Sequence, residues 1–143
     1  MLTGRLVSLI EKHADELTGR LALKLRTDLR TPGYRRFDDR ELRGRALRVY
    51  RNLGSWLNQT TDRAVEEEYF TLGQERRREG VPLAEVVAAL LLTRRNLWEF
   101  VESESGDSVL ELRQQLDLEL LVVRFFDRAI YHAVRGYETR AAG

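Results

Sequence analysis

Two prolines, Pro32 and Pro82, are all that interrupt 143 residues otherwise dominated by Leu, Arg, Glu and Ala. These residues lose little side-chain freedom in a helix, whereas proline ends or restarts one, so the chain is predicted to be all-α, with breaks near the two prolines and at turn residues. Leu6, Ile10, His13, Leu17, Leu21 and Leu25 recur at three and four residues, so a first helix is expected from about Thr3 to Leu29, stopped by Thr31-Pro32-Gly33. A linker, Tyr34-Arg35-Arg36-Phe37, leads to Asp38, which can cap a second helix with the stripe Leu42, Ala46, Val49, Leu53 and Trp56. A third follows Thr61-Asp62 and ends at Gly80, its Glu66-Glu67-Glu68 and Arg76-Arg77-Arg78 runs ordered to suit the helix dipole. Pro82 opens a fourth and most apolar helix, in which Leu83, Val86, Val87, Leu90, Leu91, Leu97, Trp98 and Val101 follow one another. Ser108 and Glu111 have capping-box spacing, and helical pattern then runs to about Arg140, a rod of roughly 50 Å. The expected architecture is a single-domain bundle of about five helices spanning residues 1–143, with a long C-terminal helix.

That last helix is apolar on two sides. Leu116, Leu120, Val123 and Phe126 form one line, and Leu118, Leu121, Val122 and Phe125 form another. A helix with two apolar faces is either central in its own bundle or shared with a second subunit. The second line, with His132 further along, is the expected interface of a homodimer.

Composition excludes much chemistry. With no cysteine there is no disulfide, thiolate nucleophile, iron–sulfur cluster or cysteine zinc site. His13 and His132 are the only histidines, too few and too far apart for a helical metal site, so no metal and no cofactor are expected. No serine lies on a strand-to-helix elbow, and no GxGxxG or GxxxxGK[ST] loop occurs. Adjacent carboxylates such as Glu66-Glu67-Glu68 diverge around a helix rather than converging on a substrate. An enzyme is therefore not expected. The 24 basic and 23 acidic residues nearly cancel, and acidic neighbours dilute the arginine clusters, so nucleic acid is not an expected partner. The longest apolar runs fall far short of a membrane span, and the expected location is cytoplasmic.

Three residues stand out as candidate ligand contacts. Arg94 lies inside the most apolar helix, where its guanidinium needs a carboxylate, a carbonyl or an aromatic face; an internal ion pair and an anion site both satisfy it. Trp98 follows four residues later, and His13 lies on the apolar line of the first helix, as a hydrogen-bonded boundary histidine or as a sensing residue. Gly19, Gly44, Gly54, Gly73 and Gly136 fall inside predicted helices, where close helix approach is the plain explanation of their cost, about 1 kcal/mol each relative to alanine.

The segment from Gly73 to Leu92, centred on Gly80-Val81-Pro82-Leu83 and continuing through Arg94-Arg95-Asn96-Leu97-Trp98-Glu99, resembles the N-terminal sensory domain of RsbR/RsbRD-type co-antagonists. These are bacterial stress regulators, and similar input domains precede histidine kinases. The opening Leu9-Ile10-Glu11-Lys12-His13-Ala14-Asp15-Glu16-Leu17 is similar to that family's first helix. The resemblance implies an all-α regulatory module, in some members related to a globin without haem, that dimerises and passes a signal through its final helix. It also implies a signalling partner such as a kinase or a STAS-domain protein. A haem would need an axial ligand from the region after Pro82, where this chain offers arginines and no histidine, so no haem is expected. Two readings follow: a dimeric relay domain, and a sensor that holds a small apolar molecule or anion among His13, Arg94 and Trp98.

Overall fold

A computed structural model describes residues 2–57, 61–104 and 109–139. Its helices are α1 (Leu2–Lys12), α2 (Ala14–Thr27), α3 (Asp39–Leu57), α4 (Asp62–Arg78), α5 (Leu83–Glu104) and α6 (Val109–Glu138), with a 3-10 helix over Pro32–Arg36. No strand occurs among the described residues. The predicted first helix is two helices, because His13 departs from helical geometry (φ −115°, ψ 24°). Backbone bonds from His13 N–H to the Leu9 carbonyl and from Leu17 N–H to the His13 carbonyl run across the break, so the chain kinks there without turning back. The predicted linker Tyr34–Phe37 is largely the 3-10 helix, closed by the Phe37 N–H on the Tyr34 carbonyl.

The remaining boundaries follow their local chemistry. Asp38 Oδ1 accepts from the Glu41 N–H at 2.7 Å, and Thr61 Oγ1 accepts from the Ala64 N–H at 3.3 Å. At the end of α4, Gly80 N–H bonds to the Arg77 carbonyl and Val81 N–H to the Arg76 carbonyl. This Schellman closure requires the left-handed backbone that Gly80 supplies at φ 75°. The proposed Ser108 cap lies outside the described residues.

α4 lies along α6, while α2 packs against both α3 and α5, and α5 also meets α6. The stripe predicted for α3 is inward: Leu42, Ala46, Val49 and Leu53 are buried, with Trp56 half-buried beside them. Phe125 holds the centre of an aromatic cluster, edge-on to Tyr69 at 5.7 Å and to Phe126 at 5.2 Å, with Trp56 at 5.9 Å. A buried polar contact ties three helices together. Tyr50 donates to the Thr93 carbonyl at 2.9 Å, and the Asn96 amide donates to the Leu17 carbonyl and to the Tyr50 hydroxyl, both at 3.0 Å. Burial pushes the Tyr50 hydroxyl's pKa upward, keeping it a donor.

Of the five helical glycines singled out above, two mark a close approach. A methyl on Gly73 would strike the Ala133 carbonyl, and one on Gly136 would strike the Phe70 carbonyl, so α4 and α6 meet backbone to backbone. Gly44 has open space around it, Gly54 only ordinary contact with Val7, and Gly19 faces the movable Arg43 guanidinium. Close approach therefore does not explain those three.

Candidate functional site

Arg94 and Trp98, one helical turn apart on α5, border a groove of about 680 Å³ between α5 and α6. Leu91, Val122 and Val123 give it apolar walls, and Arg94, Arg95 and Glu102 from α5 and Glu119 from α6 line it as well. Arg94 forms no ion pair with another described residue, whereas the exposed Arg95 pairs with Glu99 at 3.3 Å. Lys24 reaches the same Glu99 from α2 at 2.7 Å, and the bond to Lys24 holds that carboxyl below the usual glutamate range. His13 is not part of this groove. It sits at the α1–α2 kink with its ring 5.2 Å from Phe100, on another side of α5, and within 3.9 Å of Glu16. The structure thus brings two of the three candidate ligand contacts together and leaves the third apart.

The two apolar lines of α6 do not divide between core and interface as the sequence expectation has it. Leu118, Val122 and Phe125, assigned above to a dimer interface, are buried against this chain's own helices, and Leu121 is half-buried. His132 is buried too, its Nε2 3.6 Å from Glu66 of α4 and its Nδ1 3.3 Å from Arg135. On the other line, Leu116 and Leu120 are 53% and 65% exposed and Val123 is half-buried at the edge of the groove, although Phe126 is inside. The reason is geometric. α4 approaches α6 on the side of Gly136 and Ala133, and that side carries Ala129, Phe126, Phe125 and Val122 inward with it.

A third region escaped the sequence reading. Between α3 and α4 lies an open cleft of about 410 Å³ lined by Arg45, Arg48, Asn52, Glu75, Arg76 and Glu79, among others. Glu79 Oε1 accepts from Arg76 at 2.9 Å and from Arg45 at 3.2 Å, and its other oxygen bonds to Arg45 as well. Arg45 also reaches Glu41 at 2.9 Å and lies over the Phe37 ring at 4.1 Å, while Arg36 donates to the Glu79 backbone carbonyl. Arg76, Arg45 and Glu79 are only 11%, 20% and 27% exposed. Burial would raise the Glu79 pKa, yet the Arg45 bond and the Arg76 charge take it below its ordinary value. Burial pushes the adjoining Tyr34 hydroxyl up, against the pull of Arg76 and Arg45. Read by dipole order, Arg76-Arg77-Arg78 looks like a solvated helix end; that one of the three turns inward to meet Arg45 is a tertiary fact that helical spacing does not encode. Among the described residues no group of three or more histidine or acidic side chains converges as a metal site, and no helix is long and apolar enough to cross a membrane.

Comparison with known families matches residues 15–142 to the RsbT co-antagonist protein RsbRD N-terminal domain. The chain belongs to that family. Its relatives are signal-transduction sensory domains, and this RsbRD-type N-terminal domain shares their class. A search of curated proteins finds no match. Among solved structures, the globin domain of Escherichia coli DosC, in its ferrous form II, superposes with a TM-score of 0.76 at 17% identity, over 94% of this chain and 88% of that one. The fold of the RsbRD-type domain is therefore the globin fold.

A globin fold raises the question of haem, and the residues present do not fit one. Both histidines are engaged at the periphery of the core, His13 on Phe100 and His132 with Glu66 and Arg135. The space behind the α3–α4 cleft, among the core helices, measures about 40 Å³, against the roughly 300 Å³ or more of a drug-sized ligand pocket.

Proposed function

We propose that this RsbRD-type domain is a non-enzymatic sensory module that pairs with a second copy along the exposed line of α6 and relays a change through that helix to a signalling partner, such as a kinase or a STAS-domain protein. One observation carries the reading: Leu116 and Leu120 stand in solvent beside the Trp98 groove, and Tyr131 of the same helix is exposed too. Covering apolar area is favourable by about 25 cal/mol per Å². Basic residues Arg94 and Arg95 lie along the same groove as acidic Glu102 and Glu119, so a two-fold axis perpendicular to the groove would set the basic stretch of one copy against the acidic stretch of the other. The absence of an enzymatic role is supported by the carboxylates around the cleft, which are committed to arginines rather than converging on an open reaction centre.

Sedimentation equilibrium at tens of micromolar tests the pairing. The wild type is expected to be dimeric and Leu120→Asp monomeric with an unchanged helical spectrum. A monomeric wild type, or a Leu120→Asp variant that still pairs, would overturn the reading.

A further inference from the structure

The α3–α4 cleft continues inward. Behind it lies the void of about 40 Å³, and the two spaces share Arg45, Val49, Leu72 and Arg76 in their walls. The inner walls are otherwise largely aliphatic, with Leu21, Leu25, Leu42, Ala46, Val86 and Leu90 among them. Tyr34 and Thr93 line the void as well, but the Thr93 hydroxyl is spent on the Ala89 carbonyl at 2.7 Å and the Tyr34 hydroxyl is engaged with Arg76. Forty cubic ångströms accommodate about three water-sized groups, yet a water needs polar partners that these walls scarcely offer, whereas a short hydrocarbon chain does not. Two guanidiniums stand where the polar and apolar spaces join, and the carboxylate bridging them belongs to Glu79, whose side chain alone need move to vacate the position. Its backbone is held separately by Arg36 and by the Schellman closure.

We propose that this cleft is the ligand site of the sensory domain and takes a small aliphatic monocarboxylate, whose head group replaces the Glu79 carboxylate on Arg45 and Arg76 and whose tail fills the void behind them. The proposal deepens the sensory reading by naming a site and a ligand class. Arginine's planar fork suits a carboxylate in two-point contact, so the exchange keeps the charge-assisted bonds and adds the contacts that an empty apolar space forgoes. The wider charge setting permits it. Arg36, Arg48 and Arg78 stand around the cleft with Glu41, Glu68 and Glu75, and of these Arg48 is paired with Glu68 at 2.6 Å and Glu41 with Arg45. Exchange at Glu79 also has a consequence for shape. It removes the side-chain link between the end of α4 and the middle of α3, close to the turn that leads into α5.

The test is a titration of the whole chain, followed by amide proton–nitrogen correlation spectra, with sodium valerate, 1-pentanol and sodium phosphate at matched millimolar concentrations. Valerate is expected to give saturable shifts centred on Tyr34, Arg45, Ala46, Arg76 and Leu90, and pentanol and phosphate are not. Glu79→Gln, which weakens the internal competitor, should tighten valerate binding about threefold or more, while Arg76→Gln should weaken it about tenfold. Ala46→Leu fills the void without touching the arginines and should abolish binding in a protein whose spectrum stays dispersed. Equal shifts from pentanol would mean an apolar hole only, and equal shifts from phosphate an adventitious ion only. Either result, no saturable shift by tens of millimolar, or an affinity indifferent to Ala46→Leu and Glu79→Gln, would overturn the proposal. Failure here in a protein that remains dimeric removes this site alone, and a monomer that binds valerate removes the pairing alone.

Discussion

α4 meets α6 and α3 in opposite ways. Toward α6 it presents Gly73 to the Ala133 carbonyl and receives Gly136 against its own Phe70 carbonyl, with no room for a methyl at either glycine. Toward α3 it presents Glu68, Glu75, Arg76 and Glu79, and the gap is spanned by long charged side chains around open space. Backbone contact admits one separation and one register, because close-packed atoms cannot be compressed. Ion pairs admit several, because a carboxylate can be exchanged for another carboxylate. On the reading proposed above, the glycine contact would be the rigid link to the output helix and the ionic face the adjustable one where the input is read.

The contrast can be broken most forcefully at the glycines. Gly136→Leu should cost about 3 kcal/mol or more, measured by urea unfolding, since the added side chain has only backbone to displace. A cost under about 1 kcal/mol would mean that α4 and α6 separate readily, and the contrast would fail. On the other face, Glu79→Gln should cost about 1–2 kcal/mol at pH 7, because it leaves two mostly buried guanidiniums with a weaker acceptor. The sign of its pH dependence follows from the lowered Glu79 pKa. The folded value lies below the ordinary 4.5, so the carboxylate's contribution is full above that pH and is lost as pH falls through the folded value. The difference between wild type and Glu79→Gln should therefore shrink under acid, in melts recorded from pH 7 down to 3. Tyr50→Phe, away from both faces, should cost about 1 kcal/mol, for one buried hydroxyl that joins the Thr93 carbonyl to Asn96.

Much of the architecture was legible in the sequence because it rests on local chemistry. Asp38, Thr61 and Gly80 start and stop helices through bonds within a few residues, and the α3 stripe obeys the helical period. What went unread depends on partners distant along the chain. Both apolar lines of α6 satisfy the same period, and only the approach of α4 at Gly136 decides that Phe125 and Val122 are inside while Leu116 and Leu120 are not. Arg94 and Trp98 were brought together because four residues on a helix is itself a local relation, whereas His13 needed a position relative to α5 that no spacing supplies. The α1–α2 kink left no mark, since the hydrophobic period runs through His13 unbroken. Nor did Glu79 stand out, one carboxylate among many until two arginines 31 residues apart in sequence closed on it.

Hydrogen exchange compared between the wild type and Glu79→Gln tests the division of α4 most directly, since local opening free energies are read segment by segment. Faster exchange is predicted at residues 33–45 and 76–81, with no change at residues 69–73 and 129–136. Acceleration of similar size in all four segments would contradict the account, because it would show the ionic face and the glycine face opening as a single unit.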